Sequence, residues 1–303
     1  MVIKEKVEFN SICSNGCLGK NGCIFQENEL IESMNSNNEE SKTGTYDNDW
    51  IYVFSHELRT PLNVILSTIQ VSKLNNIGEY SKVKTRYLDI MKQNCLRLLK
   101  MVNKILDINR LDSGFFWVDL KNEDIVCTIK DITLSVIDYA EMKNLELTFE
   151  SNKPEYIVCI DSFQLERIML NLLSNAIKYT PVGGDIKVTV NIQDKNIFVS
   201  VSDTGPGIPS EYHNTIFEKC NQTDGKSLLE KKGSGMGLYI AKRLLENMGG
   251  EIFAYNNEVK GTTIVFSIPN KKLPQTMKEP PTKEYYKSRA EYIEIEFSDI
   301  YSN

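Results

Sequence analysis

The sequence predicts a multidomain α+β protein: a helical hairpin that pairs with a second copy into a dimeric four-helix bundle, followed by an α/β sandwich. Three observations predict it. Two long segments, Asp47 to about Leu74 and Ser81 to Leu111, carry apolar residues at helical spacing. A short polar turn, Asn75-Asn76 and Gly78, joins them. After Asp112-Ser113-Gly114 the pattern changes to strand-like runs interleaved with amphipathic helices.

The chain divides into four parts. Residues 1–46 are a short Cys-containing segment and a linker rich in Glu, Asn, Ser and Thr, with little to bury. Residues 47–112 are the hairpin. In its first helix Ile51, Phe54, Leu58, Leu62, Ile65 and Ile69 form one stripe, and Pro61 should kink the helix. In its second helix Leu88, Met91, Cys95, Leu98, Val102 and Ile105 follow heptad spacing, with Cys95 as a small core residue. One hairpin cannot bury such a seam alone, so a homodimer is expected. The competing arrangement folds the hairpin onto the C-terminal domain.

Residues 113–270 are the sandwich. Strands are expected at Phe115–Leu120, Leu145–Glu150, Tyr156–Ile160, Asp185–Ile192, Asn196–Asp203, Glu251–Tyr255 and Thr262–Ile268. Helices are expected at Asp124–Met142, Ser162–Tyr179 and Gly237–Met248. Residues 271–303 are a Pro-containing tail. The alternation in Ile293-Glu294-Ile295-Glu296-Phe297 fits a strand added to a sheet edge, and a disordered end competes with it.

Composition narrows the function classes. Charged residues make up 25% and hydrophobic residues 41%, with a net charge of −6. That balance argues against nucleic acid as a partner. No apolar run is long enough to cross a bilayer and no secretory h-region opens the chain, so a cytoplasmic protein is expected. Seven cysteines do not make a disulfide framework in that setting. Cys13, Cys17 and Cys23 are interleaved with Gly16, Gly19 and Gly22 and fit a metal or redox cluster. No nearby fourth Cys or His completes that set, and a disordered segment is the competing reading.

Four segments carry chemistry. His56, one of two histidines, lies beside Glu57 and faces away from the apolar stripe of its helix, where it is placed to act on a partner. Asn171, Asn175 and Lys178 are spaced to share one helix face, giving two amide oxygens and an ammonium group suited to Mg²⁺ and triphosphate. Asp203-Thr204-Gly205-Pro206-Gly207 follows a strand; its carboxylate can accept from an exocyclic amine and its glycines admit a ring closely. Gly233-Ser234-Gly235-Met236-Gly237 opens a helix, where backbone N–H groups favour anions. No P-loop motif occurs.

The run Phe54-Ser55-His56-Glu57-Leu58-Arg59-Thr60-Pro61-Leu62-Asn63 resembles the phospho-acceptor box of sensor histidine kinases. The later segments, in their order, resemble the asparagine and glycine boxes of the same family's Bergerat-type ATP-binding domain. The likeness spans roughly Asp49 to Pro269. It implies a histidine protein kinase that uses ATP and Mg²⁺, phosphorylates His56, and passes the phosphoryl group to an aspartate of a response-regulator receiver domain. It implies Glu57 as base or orienter, and Thr60 as the residue that orients water in a phosphatase reaction. It implies Asn175 as the principal Mg²⁺ ligand with Asn171 in support, Lys178 on phosphate and Tyr179 near the adenine. Asp203 would read the adenine amine, and Gly205, Gly207, Gly233, Gly235 and Gly237 would line the nucleotide and its lid. Gly261-Thr262 match the last box. Cys220 stands where the family often has an aromatic that anchors the lid, a departure from the pattern. A non-catalytic ATP-binding scaffold and an ATPase of the same nucleotide fold are the competing readings. The signal sensed and the cognate regulator are not legible.

Overall fold

The computed structural model describes residues 49–74, 81–114, 117–209, 212–213, 215–219, 235–274 and 289–300. The Cys13, Cys17 and Cys23 cluster, Cys220 and Gly233 lie outside the described residues.

Helices α1 (Asp49–Leu74) and α2 (Ser81–Asp112) pack on each other as the hairpin. Helix α1 continues through Pro61, which is buried. The two sides of α2 differ. Leu88, Cys95 and Val102 recur every seventh residue, and all three are exposed, with Leu88 at 54% and Val102 at 44%. Cys95 was expected in a core; in the single chain it lies open on this apolar side. Met91, Leu98 and Ile105 are half-buried. Another side of α2 buries Asn94, Lys100, Ile108 and Leu111. Ile108 and Leu111, with Phe54 of α1, join the hydrophobic core of the sandwich. The hairpin therefore keeps an open seam and also docks on the C-terminal domain, two arrangements that the sequence set against each other.

The sandwich begins with β1 (Lys121–Asp124), then α3 (Ile125–Leu134), α4 (Ile137–Glu141), β2 (Glu146–Ser151), β3 (Ile157–Ile160) and α5 (Ser162–Tyr179). It continues with β4 (Asp185–Ile192), β5 (Asn196–Asp203), a 3₁₀ turn at Thr215–Phe217, α6 (Gly237–Asn247), β6 (Glu251–Asn256) and β7 (Thr262–Pro269). The five-stranded sheet runs β2-β4-β5-β7-β6, parallel only between β2 and β4. Alternation explains its buried face. Val188↔Val201, Val190↔Val199 and Ile192↔Ile197 are cross-strand pairs, and all six side chains are buried. Helices α3, α5 and α6 pack over the sheet.

Three expectations are corrected. The first strand was expected at Phe115–Leu120; residues 117–120 are not in a strand, 115 and 116 lie outside the described residues, and the first described strand is Lys121–Asp124, antiparallel to β3. Just upstream, the Asp119 N–H donates to the Asp161 carboxylate at 2.8 Å, so this backbone group serves a side chain and not a ladder. The helix expected over Asp124–Met142 breaks into α3 and α4. Ser135 Oγ donates to the Ile132 carbonyl at 2.6 Å, and buried Val136 leaves helical geometry at φ −113°, ψ 10°. The tail alternation that fitted a strand belongs to helix α7 (Arg289–Glu296). Ile293 and Phe297 lie four apart and both are buried, so the helical period buries them together where a strand would need a free sheet edge.

A buried ion pair ties the hairpin to the sandwich. Arg167 of α5 donates to the Asp107 carboxylate of α2, to Gln164 Oε1 at 3.0 Å and to the Tyr292 hydroxyl at 3.4 Å. The Arg167 and Asp107 side chains are only 8% and 16% exposed. Removing one partner strands the other charge; removing both does not. Asp107→Ala should therefore destabilise the chain by about 3 kcal/mol in urea unfolding, and Asp107→Leu with Arg167→Met should recover most of it. Equal losses in the single and double variants would deny the pair this role.

Candidate nucleotide site

Helix α5 positions the first group of site residues. Asp161 caps it by accepting from the Gln164 N–H at 3.0 Å, and Lys143 donates to the Ile177 and Lys178 carbonyls at its other end. Asn171 is buried, and its Oδ1 accepts from Asn175 Nδ2 at 3.3 Å. The first residue of α6, Gly237, abuts this amide: a Cβ there would stand 2.4 Å from Asn171 Oδ1. Only a residue without a side chain lets α6 begin against Asn171. The asparagine face and the glycine loop are thus brought together, although 66 residues of chain do not hint at it by pattern.

The second group gathers at the end of β5. Asp203 Oδ1 accepts from the Gly205 N–H at 2.7 Å and the Thr262 N–H at 3.3 Å. Both bonds fall on Oδ1, which leaves Oδ2 outside them. Burial pushes the Asp203 carboxyl up, and the two N–H donors oppose that shift. Gly205 packs against the Tyr179 carbonyl, which brings the end of α5 to this corner. Gly261 is at φ +92°, and a Cβ on it would stand 1.8 Å from the Asp203 carbonyl oxygen. Gly207 is at φ +81°.

Two residues that the sequence reading passed over hold these loops. Asn256 Oδ1 accepts from the Ile208 N–H at 2.8 Å, and its Nδ2 donates to the Ile208 carbonyl at 2.6 Å. Asn257 Nδ2 donates to the Asp203 carbonyl at 2.9 Å. Both stand at the β6–β7 turn. An Asn-Asn pair before a glycine is a turn signal, and the signal carries no hint of which distant loop it grips.

Lys178 is engaged. Its Nζ lies 3.3 Å from Asp299 Oδ2 and 5.3 Å from the centre of the Tyr179 ring. Burial lowers the Lys178 ammonium and Asp299 opposes the shift. Lys100 of α2 reaches the same carboxylate at 2.7 Å and Glu296 Oε1 at 3.3 Å. Burial alone would lower Lys100, but Glu296 and Asp299 outweigh it and hold it above the usual lysine range. Burial would likewise raise Asp299, yet Lys100 and Lys178 hold it well below the usual carboxylate range.

In the hairpin, His56 lies within α1, and its side chain is outside the described residues. Glu57 is half-buried and Thr60 is exposed. Gly235, at φ +64°, precedes α6. Among the described residues, no group of three or more His, Cys, Asp or Glu is placed to hold a metal. The available donors are amide oxygens, which suit a hard cation that keeps several waters. Asn171 Oδ1 already accepts from Asn175, whose own Oδ1 is outside that bond. No helix among the described residues is long and apolar enough to cross a membrane.

Gly261 offers a test of this corner. Gly235→Ala adds backbone strain with no described residue within 4 Å of the new Cβ and should cost about 1–2 kcal/mol. Gly261→Ala adds a collision with backbone to its strain, so it should cost more than that and loosen the Asp203 loop. Thermal unfolding of the two variants checks the order; equal losses would show that the loop yields freely.

Comparison with known proteins agrees with this geometry. Residues 47–114 match the His Kinase A (phospho-acceptor) domain. Residues 160–272 match the histidine kinase-, DNA gyrase B- and HSP90-like ATPase domain. Histidine kinase P4 of Formosa agariphila is 35% identical over 71% of this chain and 16% of its own length. Sensor histidine kinase WalK of Bacillus subtilis is 30% identical over 80% of this chain and 40% of its own. The crystal structure of full-length ShkA in complex with AMPPNP is 29% identical, with a TM-score of 0.56, over 72% of this chain and 45% of that one. The chain spans less than half the length of each of these proteins. With both domains in the same order, and a hairpin followed by an α/β ATP-binding fold, the chain belongs to the sensor histidine kinases.

Proposed function

We propose that the chain is an ATP-dependent protein-histidine kinase of a two-component system, with residues 47–112 as phosphotransfer hairpin and 113–270 as ATP-binding domain. One observation carries the reading. Helix α5 bears the Asn171–Gly237 contact along its length and meets the Asp203 corner at its C-terminal end, in a chain that also bears the His56 box.

Adenine fits the Asp203 end, where Oδ2 would accept its amine and Gly205 and Gly261 let the chain close tightly around Asp203. Phosphates fit the Lys178 ammonium and the N–H groups that open α6. Asn175 and Asn171 would hold Mg²⁺, which supplies charge neutralisation on the phosphate oxygens. A neutral His56 imidazole nitrogen attacks the γ-phosphorus, the bond to the β–γ bridging oxygen breaks, and ADP leaves. Glu57 takes or orients the imidazole proton, a role typically worth about 10²–10⁴ in rate. The phosphohistidine then gives its phosphoryl group to a receiver-domain aspartate, and in a separate phosphatase reaction Thr60 would orient the water that hydrolyses that aspartyl phosphate to aspartate and inorganic phosphate.

Acid-labile phosphorylation by ATP tests the acceptor and the site separately. His56→Gln should abolish incorporation and leave ATP affinity nearly unchanged, while Asn175→Ala should weaken Mg²⁺-dependent ATP binding by about 10-fold or more. Label at the wild-type rate in His56→Gln would move the acceptor elsewhere.

The same reading includes a homodimer. Its support is the open side of the hairpin, where Leu62, Leu66, Leu88, Leu99, Val102 and Leu106 are all exposed. Val102→Glu would place an unpaired charge in the core of a bundle at a cost of about 3–5 kcal/mol, without disturbing a buried position of the single chain. Sedimentation at micromolar concentration should show a dimer for the parent and a monomer for this variant. A variant that stays dimeric would place the contact on another surface.

A further inference from the structure

The segment Arg289–Ile300 is fastened to the nucleotide site by more contacts than a passive tail requires. Phe297 is fully buried and packs on the Tyr139 ring at 4.6 Å between centroids. Ile293 joins it in the core, and Ile295 is buried as well. The last turn of α7 and the residues after it expose carbonyls, and cations meet them: Lys100 donates to the Glu296 carbonyl and Arg97 to that of Ser298 at 3.4 Å. Ser174 of α5 also donates to the Glu296 carbonyl, at 3.4 Å. Beyond the helix, the Asp299 carboxylate sits between Lys178 of α5 and Lys100 of α2.

We propose that this C-terminal segment is an intramolecular competitor of the nucleotide's phosphates, with Asp299 as the anion that stands in for phosphate at Lys178. The inference rests on the reading above that Lys178 receives phosphate. A carboxylate and a phosphate oxygen ask the same thing of an ammonium group, and with the Asp299 carboxylate 3.3 Å from Nζ a phosphate there meets a cation already partly neutralised and a like charge beside it. The same segment bridges α2 and α5, through Lys92–Glu294 at 2.6 Å and Lys100 on one side and Arg289–Glu166 at 2.6 Å and Lys178 on the other. While it is docked, the hairpin is tied to the ATP-binding domain. ATP binding at its phosphate end and release of the segment are then one coupled equilibrium.

The test is nucleotide affinity in the full chain. If the docked state is the majority, Asp299→Asn should tighten Mg²⁺-ATP binding by about 3- to 10-fold, because apparent affinity scales with the competent fraction. Adenosine, which lacks phosphates, should bind equally well before and after. Phe297→Ala loosens the segment without touching its charge and should shift ATP affinity in the same direction. The inference is overturned if both variants, folded by circular dichroism, bind ATP no tighter than the parent, or if adenosine affinity rises in step with ATP. If neither the parent nor the variants bind ATP at all, the nucleotide-site reading falls, and this inference with it.

Discussion

Helix α5 is buried around most of its circumference, yet its buried positions include Gln164, Arg167, Asn171 and Ser174. A buried polar group without a partner costs roughly 1–3 kcal/mol, and a charge more. Each of these groups therefore dictates something about its surroundings. Arg167 requires the hairpin's Asp107, Asn171 is met by Asn175 and by the side-chain-free start of α6, and Ser174 takes a carbonyl from the C-terminal segment. The apolar stripe of the same helix, Leu165, Ile168, Leu172 and Ala176 among it, is buried in the core. One helix thus fixes where the sheet, the hairpin, the glycine loop and the tail meet. The site is assembled by satisfying the polar side of a helix whose apolar side the core already claims.

This explains what was legible beforehand. Helix Ser162–Tyr179 and strands Asp185–Ile192 and Asn196–Asp203 run between the residues expected, because a period of 3.6 or 2 is imposed locally by the face that must be buried. The glycines singled out from the sequence at Gly207, Gly237 and Gly261 each answer a backbone demand, a positive φ or a collision avoided. Two of the three misplacements have a related cause. A side chain from elsewhere took a backbone group that local pattern assigned to regular structure, as Asp161 does at Asp119, or a local hydroxyl did so, as Ser135 does at Ile132. Asn256 and Asn257 were missed for a related reason. Their turn is visible in sequence, but their partners, Ile208 and the Asp203 carbonyl, lie about fifty residues away.

The heptad reading of α2 shows a different limit. Periodicity finds an apolar face and does not say whether another face is also committed. Leu88, Cys95 and Val102 define the open seam, while Lys100, Asp107 and Asp112 on other sides of the helix bond to α7, α5 and the loop around Lys219. A helix with two partners has a two-part pattern. The polar part reads as an ordinary solvated face until the opposing charges are located, and these lie at Glu296, Arg167 and Lys219.

The tail illustrates why a charged contact suits a reversible role. Its apolar anchors, Ile293, Ile295 and Phe297, are few, so their burial is worth a handful of kcal/mol before the entropy of ordering the segment is subtracted. The balance rests on Asp299 and Glu296, whose desolvation offsets much of their attraction to Lys100 and Lys178. A contact of that kind is specific because the unpaired charges resist any other arrangement. It is also close to neutral in net free energy, so an alternative anion of higher charge can displace it. A triphosphate offers such an anion to Lys178, whereas a purely apolar plug of the same area would offer ATP no group to replace.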